Sequence, residues 1–300
     1  MRVTANLVPD ILAGLEQSQS ALNTALQEVS TGKSVTEPSD NPSASAAMVQ
    51  NSIETADVDQ YTQNVSSVQT TVQAASSALS SVVSALTQAV SLGTEGANGT
   101  NSGTTLQGLA TQVQGILSNV VSLANTAVSG AYIFGGTVTG TAPYTASSSS
   151  PTGYAYNGNN DANSVAIGDN LNVQTGLPGS QIFSNASNNV IGALSGLVTA
   201  LQSGNSSSIQ TATSAITSAI SYIGQQQAFY SSAEAQLTAQ GTTLQQDTVT
   251  LTTQATNLVG VNMDVAATQL SQAETDNSAA LAAAAKVLPV TLLNFLSTPS

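Results

Sequence analysis

The sequence predicts a mainly α chain of long helices with a small β domain inserted between two helical halves. Apolar residues recur on heptad rows in both halves, and between roughly residues 130 and 187 those rows give way to Gly, Pro, Asn, aromatic residues and short apolar runs. A third observation says how such helices must be stabilised. Only 6% of the residues are charged although 41% are hydrophobic, whereas about a quarter of an ordinary soluble domain is charged.

Element by element, the first row is Val8, Leu15, Leu22 and Val29. Thr31-Gly32-Lys33 then punctuates the chain: Gly32 suits a helix C-terminal cap, while Ser39, Asp40 or Asn41 can cap the next helix with Pro42 at its first position. From Val58 to Val90 two interleaved rows run together, Val58, Val65, Val72, Leu79, Leu86 and Tyr61, Val68, Ala75, Val82, Ala89. Alternating steps of three and four hold these side chains on one face, which must pack lengthwise on another helix. Thr94 to Thr105 reads as a Gly/Asn/Thr loop, so the following helix returns antiparallel.

In the inserted region Ala131–Phe134, Ser164–Ile167 and Leu171–Val173 read as strands, with Asn157-Gly158 as a favoured hairpin turn. A second long row follows, Tyr230, Leu237, Leu244, Leu251, Leu258 and Val265, and the C-terminal end carries Ala267, Leu281, Leu288 and Phe295. The remaining faces are Ser, Thr, Asn and Gln, mediocre helix formers that make few salt bridges. Helices of this kind are marginal alone and draw stability from packing within the chain or between subunits.

Composition excludes several function classes. The net charge of −13 comes from 16 acids against Arg2, Lys33 and Lys286, and three isolated cations cannot neutralise a phosphate backbone or hold an anionic membrane surface. With no His and no Cys, neither a Ser-His-Asp triad, a Cys-His dyad nor a common zinc site can be built. Carboxylate pairs such as Asp57 with Asp59, or Asp264 with Glu274, are what acid-base chemistry would have to use. No Gly-rich phosphate loop accompanies them, so no enzyme and no cofactor is expected. Asp10 and Glu16 interrupt the apolar stretch after Arg2, which argues against a cleavable signal. Ala279–Leu296 holds Lys286, Pro289 and Asn294 and is too short and interrupted for a span, so no membrane insertion is expected. The Asn-x-Ser/Thr sites at Asn64, Asn98, Asn185 and Asn205 are no more than so hydroxyl-rich a chain supplies by chance.

Three stretches carry a resemblance. Thr31-Gly32-Lys33, running into Pro38-Ser39-Asp40-Asn41-Pro42, resembles the N-terminal signature of the bacterial flagellin family, in the form found in its hook-associated junction proteins. Leu123-Ala124-Asn125-Thr126, then Tyr132-Ile133-Phe134-Gly135-Gly136, then Ala142-Pro143-Tyr144, is similar to the junction proteins' passage from helical core into β domain. The stretch from Asp264 through Leu281 and Leu288 to Leu292-Leu293-Asn294-Phe295 resembles their closing helix. Two departures stand out: Pro289 lies inside that helix, where it removes a hydrogen bond and kinks the axis, and the first motif keeps Lys33 as its one cation.

The resemblance implies that the N- and C-terminal helices pair as a coiled coil, giving an assembly domain of 1–36 with 265–300, a helical core of 37–130 with 186–264, and an outer β-rich insertion at 131–185. It implies a structural subunit at the hook-filament junction of an extracellular flagellum, exported through a type III channel after a cytoplasmic chaperone has held its ends. Subunits would self-associate in a ring between a hook-side junction protein and flagellin or a further junction subunit. Assembly would run through Leu15, Leu22, Val29, Leu281, Leu288, Leu292, Leu293 and Phe295. A flagellin filament subunit is the nearest alternative and a secreted coiled-coil adhesin the next. Scarcity of charge adds the expectation that the subunit assembles in an acidic exterior, where Asp and Glu lose charge and a structure built on salt bridges would be weakened.

Overall fold

A computed structural model describes the backbone of residues 7–296 and the side chains of residues 9–286. The order is α1 (Leu7–Thr31), α2 (Pro42–Gly96), α3 (Gly103–Ala124), β1 (Ala127–Val128), β2 (Ala131–Tyr132), β3 (Tyr144–Ala146), β4 (Tyr154–Tyr156), β5 (Ser164–Gly168), β6 (Leu171–Gln174), α4 (Gly179–Ile182), α5 (Val190–Ser203), α6 (Ser206–Val259) and α7 (Met263–Leu296). Two compact units share these elements: a terminal unit, made of the chain up to Ala56 and from Asp247 onward, and a central unit, Asp57–Gln246.

In the central unit the heptad rows form the core. Val72, Leu79, Val82, Leu86 and Ala89 of α2 are fully buried, as are Tyr230 and Leu237 of α6. By length and composition α2 is apolar enough to cross a membrane, but its apolar rows face protein. The return after α2 is tighter than read, from Ala97 to Ser102, with the Ser102 hydroxyl capping α3 by accepting from Thr105 N–H at 3.2 Å. Leu106 and Leu109 of α3 then lie against Gly96, which shows α3 doubling back on the end of α2. Helix α5 packs on α3. Outward-facing Ser and Thr satisfy themselves by donating to the carbonyl four residues back, as Thr62 does to Val58 and Thr87 to Val83 at 2.8 Å. Much of the polar faces is thus satisfied without ion pairs.

The inserted region consists of three separate two-stranded antiparallel ribbons, β1-β2, β3-β4 and β5-β6. The Asn157-Gly158 pair is not a hairpin turn: it follows β4, and Asn157 N–H donates to Pro143 O. The tight turn is Ser129-Gly130, with φ of +51° and +84°, the double positive φ that a two-residue hairpin demands.

In the terminal unit α1 packs along α7. A one-residue antiparallel bridge, Lys33 opposite Gly260, joins the end of α1 to the start of α7, so the two helices run antiparallel. Ser34 N–H donates to Val259 O at 2.7 Å and Val261 N–H to Gly32 O at 3.0 Å. Leu15, Leu22 and Val29 are partly buried, with Ala25 buried among them. The α7 row facing inward is Ala266, Leu270, Ala273, Asn277, Ala280 and Ala284, one position away from the expected Ala267 and Leu281. Those two are exposed, Leu281 at 48%; the side chains of Leu288, Leu292, Leu293 and Phe295 lie outside the described residues. The phase is reset where α6 stops at Val259. Asn262 then caps α7, its Oδ1 accepting from Asp264 N–H at 3.0 Å, and Val265, expected to prolong the α6 row, is 50% exposed. Pro289 does not end α7, which continues to Leu296.

Candidate functional site in the terminal unit

The turn between α1 and α2 is built by the residues the sequence singles out. Gly32 adopts φ +69° beyond the last turn of α1, where its N–H reaches Glu28 O at 2.9 Å, a left-handed cap that a Cβ would strain. Asp40 folds the segment by accepting from Thr36 N–H at 3.0 Å, Glu37 N–H at 2.9 Å and the Thr36 hydroxyl at 3.2 Å. The backbone N–H groups of Glu37 and Thr36 hold its carboxyl below its ordinary pKa. Of the three candidate caps Asn41 takes the part: its Oδ1 accepts from Ala44 N–H at 3.0 Å, and Pro42 occupies the first helical position. Thr31 donates to Gln27 O, and the Ser39 hydroxyl lies 3.4 Å from Glu37 Oε2. Pro38, between them, is exposed. The motif is a connector, with its polar groups spent on the turn.

Around this connector the terminal unit leaves large apolar side chains in water. They are Leu12 and Leu26 on α1, Val49 and Ile53 at the start of α2, Val249 near the end of α6, and Met263, Val265 and Leu281 on α7, each between 46% and 67% exposed. In the central unit only Val138 and Leu171 are comparable among the described residues. Between α1 and α7 runs a groove of about 790 Å³ floored by small side chains, Gly14, Ser18, Ala21 and Ala25 from α1 and Ala273 from α7. Ser18 Oγ and Asn277 Oδ1 are buried in this unit without a hydrogen-bond partner. The seam is therefore shallow and partly polar, unlike the apolar core of the central unit.

The second motif lies in the central unit. Phe134 is fully buried edge-on to Phe183 with ring centroids 5.2 Å apart, and Tyr144 stacks at a tilt on Tyr156 at 5.2 Å. Asn125, at the end of α3, acts as a piece of strand: its Nδ2 donates to Tyr144 O and its Oδ1 accepts from Tyr144 N–H, both at 2.8 Å. Tyr132 N–H donates to Thr139 O within the turn of Gly135 and Gly136, and Pro143 O receives Asn157 N–H. Gly136 has φ +69° and lies against Asn159, so no larger residue fits there. Burial pushes the Tyr144 hydroxyl far up; that of Tyr230, which accepts from Leu177 N–H at 3.1 Å, is pushed up to about 12 by burial.

The carboxylate pairs that could have carried acid-base chemistry, Asp57 with Asp59 and Asp264 with Glu274, are all exposed. Among the described residues no three acids gather as a metal site would require. Sequence reasoning missed Asn51, the one polar residue buried as a whole among those described, and the exposed Leu12 and Leu26. The position of Asn51 on the row that continues as Val58 and Val65 was the available signal.

Residues 6–139 match the family model for the bacterial flagellin N-terminal helical region. The fold is similar to a flagellar hook-associated protein of Vibrio parahaemolyticus (TM-score 0.67, 19% identity, 74% of this chain and 100% of that one). It is also similar to FlgL of Bacillus cereus (0.58, 22%, 70% and 99%) and to the flagellar junction protein FlgL of Legionella pneumophila (0.56, 14%, 65% and 99%). Among curated proteins no sequence match is found. The long helices with an inserted β region are the fold of these hook-associated proteins.

Proposed function

We propose, for a chain whose N-terminal part matches the flagellin helical region and whose fold is that of hook-associated proteins, that it is a structural subunit joining hook to filament in the bacterial flagellum. The observation that carries the reading is the concentration of exposed apolar side chains in the terminal unit, with Leu12 and Leu26 on α1 and Leu281 on α7 about half exposed. Single exposed apolar groups are ordinary on any protein, but their concentration in one unit is the mark of a surface kept for neighbours. Its work is mechanical and not enzymatic. Residues 1–36 with 265–300 form the assembly end and 37–130 with 186–264 the helical core, while 131–185 face outward. Leu15, Leu22 and Val29 hold α1 on α7, and Leu281 faces a neighbouring subunit. Leu288, Leu292, Leu293 and Phe295 complete the same end. The partners are copies of itself in a ring, a hook-side junction protein, and flagellin or a further junction subunit. Export follows the type III route without a cleaved signal, with a cytoplasmic chaperone covering the apolar ends.

Electron microscopy of flagella from a strain deleted for the gene, with flagellin assayed in the medium, tests this. Hooks without filaments and flagellin leaking outward are expected. Intact hooks with no flagellin anywhere would make the chain the filament subunit, and normal filaments would overturn a flagellar role.

A further inference from the structure

We infer that Asn51 sets the axial alignment of α2 and α6 within the terminal unit, and through it the alignment of α1 with α7; so far as this concerns assembly, it rests on the function proposed above. Asn51 is 6% exposed and is the one polar residue buried to that degree among those described. It occupies a heptad row whose other members, Ala44, Val58, Val65, Val72, Leu79 and Leu86, are all apolar. Its Nδ2 donates to Leu251 O at 3.0 Å and lies 3.5 Å from Gln254 Oε1, so both partners are on α6, 200 and 203 residues away. The row it meets is Tyr230, Leu237, Leu244, Leu251 and Leu258, of which Tyr230 is held in the central unit by Leu177 N–H and the members nearest Asn51 are all leucine.

Where only aliphatic residues face each other, as in the terminal stretch of this pair beyond Tyr230, two heptad rows are nearly indifferent to a slip of seven residues, roughly 10 Å along the axis at the α-helical rise. Interhelical ion pairs ordinarily choose among such registers. Here they cannot: the two described cations, Lys33 and Lys286, belong to neither α2 nor α6. A polar side chain buried at one position of the row does the same work at a cost in stability, because it must find its partners or be left without them. A slip one way sets the Asp247 carboxylate where the Gln254 amide stands. A slip the other way carries Asn51 to Leu258, at the last turn of α6, with Val261 in place of Gln254. Either would also draw Gly260 away from Lys33 and break the bridge that joins α1 to α7. Alignment of the terminal helices thus follows from the register of α2 on α6.

The native chain has no cysteine, so disulfide pairs introduced into the full-length protein report register directly. Ala47→Cys with Ala255→Cys reads the native register, each being four residues beyond the Asn51–Leu251 contact. Ala47→Cys with Thr248→Cys reads the one-heptad slip. In the parent the first pair should oxidise and the second should not. In Asn51→Leu the slipped pair should become a major product while Tm stays equal or rises, and pelleting of assembled protein should fall several-fold. Asn51→Val, which adds less volume, should behave alike and serves if the leucine variant does not fold. A lower Tm with only the native cross-link would make Asn51 a structural residue, and an unchanged cross-link pattern at any Tm would overturn the inference. Slipping in the variants of a parent that never assembles would instead leave the alignment role intact and defeat the proposed function.

Discussion

Leu26 and Leu237 are chemically identical residues on helices, and the structure assigns them opposite consequences. Leu237 is fully buried, so Leu237→Ala removes its transfer energy and leaves a cavity, about 2 to 5 kcal/mol of folding stability. Leu26 is 46% exposed, with Leu12 at 47% and Leu281 at 48%. A fully buried Leu contributes about 1.5 to 3 kcal/mol, so each has gained roughly half of that on folding and holds about 1 kcal/mol for association. Replacing all three by Ser should therefore cost an assembling subunit about 3 kcal/mol per contact. That is on the order of a hundredfold in association constant, on top of a modest loss in Tm. Light scattering and pelleting of the purified chain read the association, and thermal denaturation reads the folding. If the triple variant assembles as the parent does, or if it loses as much stability as Leu237→Ala, exposure in the single chain does not mark the contact surface and the argument fails.

Asn41→Ala removes the cap of α2 and should cost about 1 kcal/mol, visible as faster amide exchange in the first turn, at Ala44 above all. Alkali should unfold the central unit: the hydroxyls of Tyr144 and Tyr230 have values raised by burial, so the folded state keeps protons that the unfolded state releases. Their stabilisation is complete below the unfolded value near 10 and is lost as pH climbs toward about 12; Tyr230→Phe should flatten part of that decline in a Tm titration. In acid the sign reverses for Asp40, whose lowered value means a contribution present above the ordinary carboxylate pKa and lost as pH falls below it. Asp40 is exposed and the chain has only three cations for ion pairing, so Tm should change little between pH 7 and 3. A steep fall there would refute a fold independent of charge.

The α2 row was legible because its apolar residues are Val and Leu separated by Ser, Thr and Gln, so one phase alone buries them. The α7 row was not. Ala266, Ala267, Ala273, Ala279, Ala280 and Ala282 to Ala285 offer apolar surface in almost every phase, and the bulk of Leu281 drew the row one position aside. What settles the phase is where α6 ends and how Asn262 starts the next helix, a local event that a row extrapolated from Leu258 to Val265 passes over. Gly-Val-Asn at 260–262 was the warning. The connector from Gly32 to Pro42 was read nearly in full because caps are local chemistry. Asn125 and Asn51 were not read, since their roles depend on partners 19 and 200 residues away.

The scarcity of cations also governs what a protease can do to this chain. Enzymes that cut after Lys or Arg find three sites in 300 residues, and of the two described, Lys33 is exposed in the connector and Lys286 lies exposed on α7. A trypsin digest therefore cannot dismantle the protein. It severs α1 from the rest of the chain and leaves Ser34–Lys286 as one fragment, and the time α1 then stays bound measures the grip of the α1/α7 seam in isolation from every covalent link.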